Sequence, residues 1–233
     1  MGEKMNFLIQ TINGQIKHDF SFTLIESCEY QNWLRNEKQF ICNFTDEKIM
    51  PDCIPIGSVE FVCNYLQKYY NLIPKPKNIP VELLKLNHTG RIVINSTEKD
   101  INGKKFVKSN DKIKSFTEIC ISAPQGNYQI SDIVDFESEW RVFVYKGKMV
   151  GLQNYSGDFT LFPDVYKINE MITDYEHQPI AYTLDVGILY KSVHVTVVIE
   201  VHDFFSCGLY GFSDHKILPF MFKDWFNSFI DKL

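Results

Sequence analysis

The sequence predicts an α+β fold, and three observations carry that reading. Beyond about residue 90, short runs alternate apolar and polar residues with turn residues between them, as half-buried strands do. Other segments instead repeat apolar residues at helical spacing. Between the two regimes, Ile73-Pro-Lys-Pro-Lys-Asn-Ile-Pro80 holds three prolines, which stiffen the backbone, end any preceding helix and mark a boundary. With 233 residues, 45% of them hydrophobic and 15% aromatic, the chain suits one good-sized domain or two small, tightly joined ones.

In chain order, Met5 to Leu84 mixes short apolar runs with a helix over Ser58–Tyr70, where Val59, Val62, Cys63 and Leu66 recur on one face. Ser58 is the expected N-cap, with Glu60 in the first turn. Arg91–Asn95 and Lys105–Lys108 read as strands around a turn at Asn102-Gly103. Glu139–Tyr145 and Met149–Tyr155 read as a hairpin closed at Gly147, and Ser156-Gly-Asp158 as a further turn. Asp164–Tyr175 is expected to be helical through Val165, Ile168, Met171 and Ile172. Two acidic strands follow, and Ile217–Leu233 closes the chain as an amphipathic helix whose Met221, Trp225 and Phe229 face a core.

The net charge of -5 offers no general attraction to nucleic acid phosphates. Six cysteines show no CxxC pair and no zinc spacing, so buried, reduced thiols are expected. No apolar run reaches the roughly 18 residues of a membrane span, and the start of the sequence has no long apolar core. These features together place the expected protein in the cytoplasm, away from membranes.

The chemistry concentrates in two neighbouring runs, Thr183-Leu-Asp-Val-Gly187 and Thr196-Val-Val-Ile-Glu-Val-His-Asp203. Residues two apart in a strand share a face, so Glu200 and His202 point together, with Val197, Ile199 and Val201 turned into apolar packing. A turn near Ser192 and Val193 would set Asp185 opposite Glu200 in an antiparallel pair. Two carboxylates so close repel unless a divalent cation such as Mg2+ neutralises them. The plain alternative is a half-exposed hairpin whose acids face water.

Alternation also puts Glu139 and Arg141 on one side of their strand. They could pair at the surface, or Arg141 could fork onto phosphate oxygens while Glu139 accepts from ribose hydroxyls. Lys104, Phe106 and Lys108 share a strand face, and Lys112 and Lys114 follow after a turn. These lysines suit phosphate, although clustered lysines are often only a solvated face. GxxxxGK[ST], GxGxxG and GxSxG motifs are all missing from the sequence.

Taken in order, Phe106-Val-Lys108, Glu139-Trp-Arg141, Leu184-Asp185 and Ile199-Glu-Val-His-Asp203 resemble the ATP-grasp superfamily of carboxylate ligases. Ile54-Pro-Ile-Gly-Ser-Val59, Ile79-Pro80, Asp185-Val-Gly187 and Gly208-Leu-Tyr-Gly211 bring the likeness closer to a compact clade of phages and bacteria. The resemblance implies an ATP-grasp fold: two antiparallel-sheet subdomains (about 86–135 and 136–233) holding the nucleotide, preceded by a small N-terminal α/β lobe at 1–80. Lys108 and Arg141 would be catalytic. Lys108, Lys114, the Asp132-Ile133-Val134-Asp135 segment, Glu139 and Arg141 would bind ATP, the segment by its backbone and Glu139 at the ribose. Asp185, Glu200, His202 and Asp203 would supply the Mg2+ ligands, with His202 standing where the family has Asn. Thr183 stands where many relatives carry an arginine.

The reaction so implied activates a carboxylate as an acyl-phosphate and joins it to an amine, on a small molecule, a peptide or a protein, in the host cytoplasm if the gene is a phage's. Asn154–Asp164 would be a mobile lid or substrate loop. Two other readings are a nucleotide-binding interaction module without turnover and an ATP-dependent modifier of nucleic-acid ends.

Overall fold

In the computed structural model, residues 4–46, 50–97, 100–113 and 115–231 are described. The chain divides into two compact units, Met1–Ile73 with Pro179–Ala181 and Phe204–Leu233, and Pro74–Gln178 with Tyr182–Asp203. No described helix is long and apolar enough to cross a membrane.

The first unit begins with β1 (Met5–Ile9), a two-residue ladder of β2 (Thr11–Ile12) and β3 (Gln15–Ile16), then α1 (Asp19–Arg35), β4 (Phe40–Phe44), β5 (Ile54–Ile56) and α2 (Val59–Tyr70). β4, β1 and β5 form a parallel sheet, and Phe7, Leu8 and Ile9 on its central strand are fully buried. Ser58 caps α2 as expected, its Oγ accepting from the Phe61 N–H at 3.2 Å. The 17-residue α1 has no counterpart in the sequence reading. Its buried stripe is Phe20, Ser21, Leu24, Ser27, Cys28 and Gln31, which has helical spacing but alternates apolar with polar side chains, so hydrophobic periodicity misses it. Two of the polar members are held by hydrogen bonds instead: Ser27 Oγ lies 2.8 Å from His215 Nδ1, and Gln31 donates to the His215 and Lys216 carbonyls.

The second unit opens with a 3-10 turn at Val81–Leu83 and α3 (Leu86–Thr89). Next come β6 (Val93–Ser96), β7 (Asp100–Ser109), β8 (Thr117–Ser122) and β9 (Tyr128–Ser131), which form an antiparallel sheet in the order β6-β9-β7-β8. The turn expected at Asn102-Gly103 is a correction: the residues lie within β7, where the register with β8 shifts between Asp100 and Lys105. The left-handed backbone of Gly103, with φ +73°, is absorbed by an irregular strand rather than reversing it.

A second sheet follows: β10 (Ser138–Tyr145), β11 (Lys148–Gly157), then α4 (Val165–Asp174), β12 (Ala181–Lys191) and β13 (Val193–Asp203), in the order β11-β10-β12-β13. The β10–β11 turn places Lys146 and Gly147 at φ 51° and 71°, the conformation of a tight primed hairpin turn. Asp164 caps α4 through the Tyr166 and Lys167 N–H groups. Ile168, Met171 and Ile172 of α4 pack with Val142, Val144, Leu184, Val186, Val198 and Val201, each worth roughly 1.5–3 kcal/mol on full burial.

The expected lid is partly pinned. Asn154–Gly157 belongs to β11, and the Trp140 indole N–H donates to the Leu161 carbonyl at 3.1 Å. The chain ends with α5 (Leu218–Ile230), which packs in the first unit with α1 and β5, its Phe226 edge-on to Tyr70 at 5.6 Å.

Candidate functional site

The register of β12 with β13 places Asp185 directly opposite Glu200 and Thr183 opposite His202, with Ser192 at the turn. The expected pairing is therefore observed. One parity is not. A bulge between Asp185 and Val186 pairs Val186 with Val198, leaving Ile199 extra. Val198 and Val201 therefore both reach the core, while Ile199 lines a cavity on the other face beside Glu200. A bulge puts two residues against one and re-aims side chains next to a site.

A row of charges crosses this face. Arg141 on β10 grips Asp185 on β12 with two parallel hydrogen bonds, Nε to Oδ1 at 2.8 Å and Nη2 to Oδ2 at 2.7 Å. Asp185 is 1% exposed and Arg141 7%, so each neutralises the other where water is scarce. On β13, Glu200 meets Lys108 of β7 through one carboxylate oxygen and the His202 Nε2 at 2.7 Å through the other. Burial pushes the Lys108 ammonium down to about 8, with Asp185 pulling the other way. Although 42% of the His202 side chain still reaches solvent, desolvation lowers its imidazole below the usual range, against the pull of Asp185.

Beside this row lies a cavity of about 230 Å³, with a largely apolar wall that includes Ile79, Phe106, Ile119, Ile133, Val134, Phe136 and Ile199. Its polar lining is Arg91, Lys108, Gln129, Ser131, Asp132 and Glu139. The segment after β9 is anchored by Asp132, whose carboxylate accepts from Lys105 at 2.5 Å and from the Ile92 N–H at 3.1 Å. The Lys105 bond holds that carboxyl below its ordinary range. Glu139 accepts from the Tyr155 hydroxyl at 2.9 Å. Burial, reinforced by Asp185 and Glu139, raises the Tyr155 phenol well above its ordinary range.

The structure thus brings together Lys108, Asp132, Ile133, Val134 and Glu139 at the cavity, and Arg141, Asp185, Glu200 and His202 in the row next to it. Asp203 stands apart: Val201, Asp203 and the core share one side of β13, and the Asp203 carboxylate lies 3.8 Å from Lys77. Asp135 is absent from the cavity lining, and Lys114 lies outside the described residues.

Sequence reasoning missed three contributors. Arg91 is buried and donates from Nη1 to the Thr89 and Val198 carbonyls at 3.0 and 2.9 Å. Its guanidinium sits 5.4 Å from the Phe136 ring centroid, and burial pulls it down to about 10. Gln129 holds the Ile79 backbone by both its amide atoms at 2.9 Å. Phe136 rests on Gly187, where any Cβ would collide with the ring. Only Gly187 left a trace in the sequence, as the small residue two after Asp185.

A family model describing an ATP-grasp domain, the second family of its clade, matches residues 88–219, more than half of the chain. The chain belongs to the ATP-grasp family. No curated protein matches it. The solved structures similar to this ATP-grasp protein include the D-alanine–D-alanine ligase of Bacillus anthracis, at 10% identity and TM-score 0.52, covering 99% of this chain and 98% of that one. The same ligase complexed with ATP aligns at 12% identity and TM-score 0.52, covering 99% and 96%. The N5-carboxyaminoimidazole synthetase of Staphylococcus aureus aligns at 10% identity and TM-score 0.50, covering 87% and 71%. The two antiparallel-rich sheets and few helices of the second unit are the ATP-grasp fold, in a mixed α+β chain.

Within this ATP-grasp chain, Asp185, Glu200 and His202 each offer one ligand atom, all within 4.8 Å of one another. Two carboxylate oxygens with an imidazole nitrogen fit a divalent cation. A second trio, His88, Glu170 and Asp174, meets the same distance, but Lys167 and Lys85 already bind its two acids. The acids of the first trio are also held by cations, Lys108 and Arg141, but there the lysine lines a cavity.

Proposed function

We propose that this ATP-grasp protein is an ATP- and Mg2+-dependent ligase that activates a carboxylate as an acyl-phosphate and joins it to an amine. One observation carries the reading. Two cations, Lys108 and Arg141, rest on two acids, Glu200 and Asp185, and Lys108 also lines a cavity walled mostly by apolar side chains. At about 230 Å³ the cavity falls below the roughly 300 Å³ of whole-ligand sites, which favours a base inside and phosphates along the charged row.

In this reading the 132–134 backbone meets adenine, with Phe106 and Phe136 on the cavity wall, and Glu139 accepts from the ribose. Lys108 leaves Glu200 and Arg141 leaves Asp185 for phosphate oxygens, the guanidinium forking onto two of them. Their charges offset what gathers on the transferring phosphoryl group, in a site short of water that needs little acid-base chemistry. A Mg2+ ion held by Asp185 and Glu200, with His202 beside them, would add Lewis-acid screening of the phosphates.

The remaining parts of the proposal are coarser. Residues 1–80 serve as a pre-grasp lobe and 81–233 as the grasp domain. The carboxylate and amine belong to small molecules, as the names of the similar ligases suggest, or to a peptide or protein, and the reaction runs in the cytoplasm. Calorimetric titration of ATP with Mg2+ and with chelator tests the site. Mg2+-dependent binding followed by ADP release with a carboxylate and amine present is expected, and no binding in either condition would sink it.

Thr183 favours a second reading, a nucleotide-binding module without turnover. It stands where the resemblance expects an arginine to steady the acyl-phosphate. Mg2+-dependent ATP binding with no ADP release against any carboxylate panel would select that reading.

A further inference from the structure

We propose that His202 makes the cation site select Mn2+ over Mg2+, an inference that rests on the nucleotide-site reading above. The third ligand of the trio is a nitrogen, and the acid next to it in the chain does not supply an oxygen in its place. His202 Nε2 lies 2.7 Å from Glu200 Oε1 and 4.0 Å from Asp185 Oδ2, so it converges on both carboxylates rather than standing at the rim. The neighbouring acid, Asp203, is turned to the other face beside Lys77. Thr183, directly across the ladder from His202, has its hydroxyl buried without any hydrogen-bond partner among the described residues.

Ligand chemistry then decides between ions. Mg2+ demands hard oxygen ligands in near-ideal octahedral geometry and gives up water reluctantly. Imidazole suits first-row transition ions, and carboxylate and phosphate oxygens suit Mg2+ and Mn2+ alike. Mn2+ satisfies both halves of this donor set and keeps six-coordinate room for phosphate oxygens. Zn2+ favours four ligands and would leave fewer positions for them. A cation seated here replaces the His202–Glu200 hydrogen bond with two bonds to one ion, and β12 and β13 need not change register.

The test is pulsed EPR on the full chain with Mn2+ and ADP, together with calorimetric ADP titrations in Mn2+ and in Mg2+, for wild type and His202→Asn. A 14N coupling from directly bound imidazole is expected in the wild type and lost in the variant. The ratio of ADP affinities in Mn2+ and Mg2+ should fall at least tenfold on going to His202→Asn. ADP binding that is equal in the two ions, without nitrogen coupling, overturns the ion selectivity and leaves the nucleotide site standing. Mn2+ alone giving a His202-dependent coupling while ADP binds with neither ion would support the ion site and overturn the nucleotide reading. The wild-type spectrum decides the ligand even if the variant folds poorly.

Discussion

Arg141 and Asp185, on adjacent strands of one sheet, share two parallel hydrogen bonds of 2.8 and 2.7 Å and are both almost fully buried. This fork is at once part of the fold's interior and part of its candidate chemistry. A buried ion pair adds little net stability, yet removing one partner leaves a charge that water cannot reach. Asp185→Asn should therefore destabilise the protein by about 3 kcal/mol, read by urea unfolding. A midpoint indistinguishable from wild type would show that Arg141 is compensated elsewhere.

Glu200 differs from Asp185 in being partly open, with 18% of its side chain exposed. Glu200→Gln keeps the shape and the His202 contact but removes a ligand charge. ATP affinity in Mg2+ should fall at least tenfold, about 1.4 kcal/mol, with the fold retained. Unaltered Mg2+-dependent affinity would remove Glu200 from the site.

Gly187 bears on the cavity through Phe136. A methyl group at this position would occupy the place of the Phe136 ring, and that ring packs against Arg91 and lines the cavity. Gly187→Ala should push the ring aside and weaken ATP and ADP alike by roughly tenfold, about 1.4 kcal/mol. Wild-type nucleotide affinity in this variant would detach the cavity from the nucleotide.

The Thr183 hydroxyl is buried and makes no hydrogen bond among the described residues. An unsatisfied hydroxyl costs about 1–3 kcal/mol, so Thr183→Val, which keeps the branched shape, should raise the melting temperature by a few degrees. A lower melting temperature would mean the hydroxyl has an ordered water or ligand partner.

Asp174 sets an acid-side pH dependence. Hydrogen bonds from Lys85 and then His88 hold its carboxyl at about 2, below the ordinary 3.8. A lowered folded value contributes stability that is present above 3.8 and lost as pH falls toward 2. Asp174→Asn should flatten the stability profile within that window, measured by urea unfolding at stepped pH. An unchanged slope would assign the acid sensitivity to other carboxylates.

Much of the site was legible because strands have a period of two. Asp185, Glu200 and His202 could be placed on one face, and the turn at Ser192 set their register, from spacing alone. Ser58 marked a helix start by its chemistry. Periodicity also had its limits. The bulge at Ile199 broke the expected alternation because an inserted residue leaves no mark in composition. α1 escaped because polar residues such as Ser27 and Gln31 occupy buried positions that hydrogen bonds, rather than apolar contacts, make acceptable.

By itself, then, the sequence determined the α+β class, the acidic hairpin, the likeness to ATP-grasp ligases and most of the residues that converge. Those properties are local, set by spacing, turn chemistry and residue type. Only the tertiary structure decided that Arg141 binds Asp185 rather than Glu139, that Lys108 meets Glu200, and that Arg91, Gln129 and Phe136 build the cavity. Each of these depends on which strands become neighbours. That is fixed by burial of the Val142, Leu184 and Val201 core, a cooperative outcome of the whole chain that no single window of sequence contains.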